Sequence, residues 1–353
     1  MNRLRTILVV VLVLAAGALP QPLLGAQRPV LRILNWEDYL NPELATEFGR
    51  RYGVTIEETF FESDTERDRR LAGGGAAGFD LVIVDRAQLP VYRDRGWIAA
   101  LDTARLPGLR HYDPRWRQVA DGSASHAIPY AWGTVGIAYR ADLLREPPKS
   151  WLALFRPTPE LCGKVLVLDD ARELLATALK ALGASANAAE PGAYGQAAQL
   201  LKSQGPCVAR YGITGIDADS ELITGKVWAA MAYNSDAVWL RELDQNVRFV
   251  LPQEGGLIWA DYLAVLSASK QKALAFAFLE FLSEPAIAAR QASFSKAATP
   301  NLDARAFLPV AESKDRTIYP SGPAFDASEI IVAAPPAIVA IRNQIRAKLV
   351  RKP

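Results

Sequence analysis

Short apolar runs alternate with amphipathic stretches of helical period along most of the chain, and that alternation narrows the folds open to it more than any other feature. The strand-like runs are "VLRILNW", "VTIEETFF", "FDLVIVD", "GIAYR", "KVLVLD", "CVARYGI", "KVWAAMAY", "VRFVLP" and "YLAVLS". Between the first two lies "NPELATEFGRRYG", where Asn41 stands ready to cap a helix, Pro42 takes its first position and Gly53 follows its last turn. Further helices are expected at "ARELLATALKALG", "YGQAAQLLKSQ", "KQKALAFAFLEFLSE" and "PPAIVAIRNQIRAKLV". The pattern predicts an α/β fold on open sheets. At 353 residues the chain exceeds what one hydrophobic core usually serves, so two lobes are expected. The crossing between them is expected near residues 136–140, with a return near 260.

The first residues read "MNRLRTILVVVLVLAAGALPQPLLGAQR", with Arg3 and Arg5 ahead of an apolar run and small residues at Gly25 and Ala26. This is the pattern of a secretory signal peptide, here residues 1–26, cut after Ala26. The apolar run falls short of the ~20 residues of a spanning helix, and no cysteine stands near the cut to carry a lipid. A soluble protein outside the cytoplasm, in the periplasm, is expected. Losing Arg3 and Arg5 from 40 basic side chains leaves 38 against 38 acidic ones. A balance near zero argues against a nucleic-acid or anionic-membrane surface, so any charge selectivity is local. An oxidising compartment favours one disulfide between Cys162 and Cys207, each just before a strand-like run, with two buried thiols as the alternative.

Several familiar motifs fail on inspection. "GGGAAG" at 73–78 matches G-x-G-x-x-G, but it precedes a strand, whereas a dinucleotide site needs it after one; a turn is the better reading. "DADSE" at 217–221 begins like a calcium loop but carries Leu222 where the sharp turn needs glycine. His111 and His126 are the only histidines, neither has a second ligand at metal spacing, and H-E-x-x-H and G-x-S-x-G are absent. No metal or cofactor is expected, nor an enzymatic activity. An extracellular hydrolase using two carboxylates stays open, because the separation of such a pair is a property of the fold.

Acids recur near strand ends, three times beside an aromatic: "NWEDY" at 35–39, "AYNSD" at 232–236 and "IWADY" at 258–262, with the acids of "DDARE" at 169–173 and Asp85 closing "VIVD". Any one group has an ordinary explanation, since tryptophans fill cores and acids at strand ends cap helices. Four such groups describe a box for a cation with an apolar body: aromatic faces attract cations, and carboxylates give ammonium groups charge-assisted hydrogen bonds. A neutral sugar would leave those acids uncompensated, and an anion would be repelled.

Taken in order, "LRILNWEDYLNPELATEFGRRYGVTIEETFFES", "FDLVIVD", "IPYAWGTVGIAYR", "VLDDARELLATALKALG", "PQEGGLIWADYLAV" and "TPNL" resemble the periplasmic spermidine/putrescine-binding proteins of polyamine ABC transporters over nearly the whole mature chain. The resemblance implies a two-lobed type II periplasmic binding protein, each lobe a mixed sheet flanked by helices, with the ligand cleft between lobes. Residues 27–138 plus 260–305 would form the first lobe, and 139–259 plus 306–353 the second. It further implies a polyamine ligand, putrescine or spermidine, delivered by a monomer to a membrane permease. By motif, Trp36, Asp38 and Tyr39 line the cleft in the first lobe, and Asp170 and Glu173 reach an amine. Tyr233 stands where the family usually has tryptophan, Asp236 matches an acid of putrescine-type members, and Trp259 and Asp261 grip an amine.

Three departures bear on the ligand. Where the family tends to have serine with an aromatic two residues later, this chain has Asp85 and Ala87; where an aromatic precedes "TPN", it has Ala297 and Ala298. Lost aromatics would enlarge the cleft, and Asp85 would add an acid to it. The same fold binding a different small cationic or polar solute is the alternative that these departures support.

Overall fold

The computed structural model of the chain describes residues 28–117 and 122–349, so the expected signal peptide lies outside the described residues. Among those residues ten strands join in one ladder: β1 (Val30–Asn35), β2 (Thr55–Phe60), β3 (Leu81–Asp85), β4 (Ala127–Arg140), β5 (Val165–Val167), β6 (Val208–Tyr211), β7 (Ala229–Tyr233), β8 (Val247–Val250), β9 (Leu257–Val265) and β10 (Glu329–Ile330). The order is β2-β1-β3-β9-β4-β7-β5-β6, with β10 on β9 and β8 on β4. β1 pairs in parallel with β2 and β3, and β5 with β6 and β7. The central strands β9 and β4 run antiparallel to each other, and to β3 and β7 respectively.

Two large hydrophobic cores flank this ladder, with a smaller third cluster around Leu166, Leu222, Val227 and Leu240. The first gathers Leu31 and Ile33 of β1, Val82 and Ile83 of β3, Tyr262 and Leu263 of β9, and Phe48, Phe278 and Phe281 from helices Pro42–Tyr52 and Lys272–Ser283. The second gathers Ile137 of β4, Val165 and Val167 of β5, Met231 of β7, and Leu174, Leu175, Leu200 and Leu201 from helices Ala171–Ala181 and Pro191–Gln204. β4 leaves the first core at Trp132 and enters the second at Val135, while β9 leaves the second at Leu257 and enters the first at Ile258. Two strands therefore belong to both lobes. The segment after 305, expected in the second lobe, first adds Leu308, Ile318 and Tyr319 to the first core, where Tyr319 meets the edge of Trp132 at 6.3 Å. Ile331 and Ile338 join the second core only afterwards.

Local chemistry accounts for the element ends. Asn41 accepts the Glu43 N–H at 2.9 Å, and Gly53 closes the helix at φ 66°, so the cap and stop expected from the sequence are both present. Leu44 and Phe48, four residues apart on that helix, face the core. Two strands differ from expectation. β4 begins well before "GIAYR", because its register slips between Pro129 and Ala131 and so accommodates a residue with no N–H to give. "IWADY" is not a loop after a strand but the middle of β9, held by β4 on one edge and by β3 and β10 on the other.

Cys162 and Cys207 form a disulfide immediately ahead of the parallel neighbours β5 and β6, and the Gly163 N–H donates to the Cys207 carbonyl at 2.9 Å. The bridge closes a loop of 45 residues at the edge of the second lobe. Replacing both cysteines by serine should lower the unfolding free energy by about 3 kcal/mol, through the entropy returned to the unfolded chain. Urea unfolding of the two forms checks this, and equal midpoints would show that the bridge adds nothing.

Candidate functional site

The polar residues gather where β4 and β9 pass between the cores. On β9 the two-residue period points Trp259 and Asp261 to one face. Trp259 lies over Gly133 of β4, its cross-strand partner; a Cβ there would stand 2.5 Å from the indole and 2.2 Å from Asn234 Oδ1, so only glycine fits. Tyr233, the last residue of β7, meets Trp259 edge to face at 6.2 Å. The Trp259 Nε1 donor is buried without a hydrogen-bond partner.

Across the cleft the turn after β1 is clamped by the Tyr39 carbonyl, which accepts from Tyr130 Oη at 2.8 Å and Gln291 Nε2 at 2.9 Å. That clamp aims the Tyr39 hydroxyl at Asp261, to which it donates at 2.8 Å. Trp36 packs on Phe61 with ring centres 4.2 Å apart, and Asp38, at φ 53°, is exposed on the turn. Asp236 lies in the first turn of helix Asn234–Leu243, where Ser235 Oγ is 3.4 Å from its carboxylate. Tyr39, Tyr233, Trp259, Asp236 and Asp261 make one aromatic and acidic lining drawn from both lobes.

A second group of charges was only partly legible in the sequence. Asp85 stands opposite Asp261 in the β3–β9 register. It does not act as a free acid: its Oδ1 accepts from Arg172 Nη1 at 3.0 Å and caps the Ala87 N–H, and its Oδ2 lies 3.6 Å from Arg67 Nη2. Arg67 is completely buried, pairs with Asp64 at 3.0 Å and donates to Tyr92 Oη at 2.7 Å. Arg172 also approaches Glu173 at 3.2 Å and Asp64 at 3.6 Å. Asp170 uses its carboxylate to cap helix Ala171–Ala181, accepting the Arg172 and Glu173 N–H groups. Asp64, Arg67 and Arg172 were missed. Arg172 sat inside the quoted "DDARE", whereas "DTERDRR" reads as an exposed charged helix and nothing in it marks Arg67 as buried.

The alanines do not enlarge the cleft as expected. Ala87, Ala297 and Ala298 are buried, and the cavity lined in part by Ala297 and Ala298 holds about 10 Å³. That leaves room for one water at most, since about 10–15 Å³ on this measure is needed to hold one.

Six acids thus face two guanidinium groups, and the imbalance appears as proton uptake. Burial pushes Asp261 up to about 7, helped by Asp85 and opposed by the Tyr39 hydrogen bond. Burial alone pushes Asp236 up to about 7, against a weak opposing bond from Ser235. Asp64 rises to about 6 through burial and Asp85, with Arg67 and Arg172 resisting. Glu173 is raised by burial, against Arg172, and further by its hydrogen bond with Asp170. Asp236 and Asp261 have no ion pair with any described residue and, unlike Asp170, cap no helix with their carboxylates. A cleft of this kind can bind a cation that carries ammonium groups on an apolar body.

Comparison with known proteins gives an independent line. Residues 43–320 match the family described as bacterial extracellular solute-binding protein. The norspermidine sensor of Vibrio cholerae is 32% identical over 291 residues, covering 82% of this chain and 80% of that protein. The spermidine/putrescine-binding periplasmic protein of Escherichia coli is 31% identical over 314 residues, covering 87% and 88%. Among solved structures, the spermidine/putrescine ABC transporter substrate-binding protein of Streptococcus pneumoniae superposes with a TM-score of 0.80 at 25% identity, over 91% of this chain and 98% of that one.

The raised carboxylates set a pH dependence of stability. Below about pH 4 Asp236 and Asp261 are protonated in folded and unfolded chains alike. Between there and their folded values of about 7 the unfolded chain ionises first, so the empty protein loses stability as pH rises, and above 7 the loss is complete. The melting temperature should therefore fall between pH 5 and pH 8, and fall less in the double variant Asp236→Asn, Asp261→Asn. Equal slopes in the two proteins would show that these acids are not perturbed.

Proposed function

The chain belongs to the bacterial extracellular solute-binding proteins, and from that premise we propose that it captures polyamines in the inter-lobe cleft and delivers them to the permease of an ABC transporter from the periplasm. One observation carries the ligand assignment. Asp236 and Asp261 are partly buried carboxylates with no counter-ion among the described residues, set around Tyr39, Tyr233 and Trp259. An ammonium group supplies the missing charge, and the rings cover the methylene chain between ammonium groups. The names of the relatives, which include spermidine, putrescine and norspermidine, support the same chemistry.

Closure follows from the division of the box. Tyr39 and Asp261 sit on the first-lobe side, while Tyr233 and Asp236 belong to elements of the second. A ligand that touches both sets binds the closed form better, and only that difference in affinity can shift the population toward it. Micromolar affinity corresponds to about 8 kcal/mol, within reach of two charge-assisted contacts plus ring stacking after ordering costs are subtracted.

Titration calorimetry on residues 27–353 against putrescine, cadaverine, spermidine, amino acids and sugars tests the assignment. Polyamines alone should bind, and Asp261→Asn should weaken them by roughly 2 kcal/mol, about thirtyfold, by leaving an ammonium underpaired. Unchanged affinity in that variant removes Asp261 from the site, and binding of a sugar in place of polyamines overturns the reading.

A further inference from the structure

We propose that Asp85 and Arg172 together determine how many charges the ligand carries: their bridge across the cleft fills one end of it, and the remainder accepts a diamine in preference to a triamine. This rests on the polyamine reading above and specifies it.

The bridge is between lobes. Arg172 opens helix Ala171–Ala181, whose Leu174 and Leu175 pack in the second core, whereas Asp85 ends β3 of the first lobe and Asp64 opens a first-lobe helix. Arg172 Nη1 reaches Asp85 at 3.0 Å, and its Nη2 lies 3.6 Å from Asp64. Arg67 approaches the same two acids from the buried side, at 3.0 Å from Asp64 and 3.6 Å from Asp85. Both carboxylates are therefore already engaged by guanidinium groups, which Asp68, 3.9 Å from Arg67, and Glu173, 3.2 Å from Arg172, also approach. A serine at position 85, as the family resemblance leads one to expect, would have no charge with which to hold Arg172.

The two acids on the second-lobe side of the bridge already have hydrogen-bond partners. Asp170 accepts the Arg172 and Glu173 N–H groups as a helix cap. Glu173 holds Arg172 through Oε1, and its second oxygen is buried without a hydrogen-bond partner. What remains is Asp236 and Asp261, two acids without a counter-ion among the described residues. They suit two ammonium groups, and a third would have to displace Arg172 from the acids it already holds.

Calorimetry with putrescine, cadaverine, spermidine and norspermidine on the wild type and on Arg172→Gln, Arg172→Met and Arg172→Lys decides the matter. The wild type should bind the better diamine at least tenfold more tightly than either triamine. The two neutral variants should narrow that ratio tenfold or more, chiefly by tightening triamines, while Arg172→Lys, which keeps the charge, should hold it within about threefold. A wild type that binds triamines as tightly as diamines overturns the proposal even if no variant folds. So does a folded neutral variant that binds diamines normally with the ratio unmoved. If no polyamine of any length binds the wild type, it is the polyamine reading itself that fails.

Discussion

The antiparallel pairing of β4 with β9 carries residues of two different hydrophobic cores on the same pair of strands. Where β9 crosses from one core to the other, the side chains that alternate away from the first core need not be apolar, yet the backbone remains held on both edges. Trp259 and Asp261 occupy that stretch, and Gly133 opposite leaves room for the indole. The cleft therefore has a floor as regular as the sheet itself, and the turns and helix ends that bring Tyr39, Tyr233 and Asp236 to it can be shorter and more varied. Rigid positioning of this kind limits the ordering cost that binding must overcome.

Charge in the cleft is arranged in two ways that differ in consequence. In one corner Asp64 and Asp85 are matched by Arg67 and Arg172, so desolvation is offset inside the protein. Nearer the aromatic rings Asp236 and Asp261 are not matched, and burial shifts both toward the protonated form. Removing one partner of a buried pair leaves an uncompensated charge, whereas an acid that was never paired keeps its deficit until a cation arrives. On the reading proposed above, the unmatched acids give a polyamine something to bind, and the matched ones set where binding stops. Proton release accompanies ligand uptake whenever the empty cleft holds protons that an ammonium group displaces.

The features legible in the chain itself are those that depend on neighbours in sequence. Asn41, Pro42 and Gly53 announce the first helix because capping is a local hydrogen bond and a local backbone angle. Cys162 and Cys207 were legible as a pair because each stands just before a strand of the same sheet. "IWADY" misled, since an acid beside an aromatic in a polar-tinged run looks like a loop, and only pairing on both edges makes it a strand. Ala87 and Ala297 misled in the other direction, because whether a small side chain leaves a gap depends on what closes around it.

By itself the sequence determined the α/β class, the need for two lobes and the kinds of residue that would meet a ligand, all of which follow from periodicity, length and side-chain chemistry. Tertiary structure alone decided which acids have counter-ions. Asp64, Asp85 and Arg172 are far apart in the chain, and Arg67 lies on a helix whose composition is that of an exposed surface. Coulomb interaction depends on distance through space and on how much water lies between, and neither quantity is written in the order of the residues.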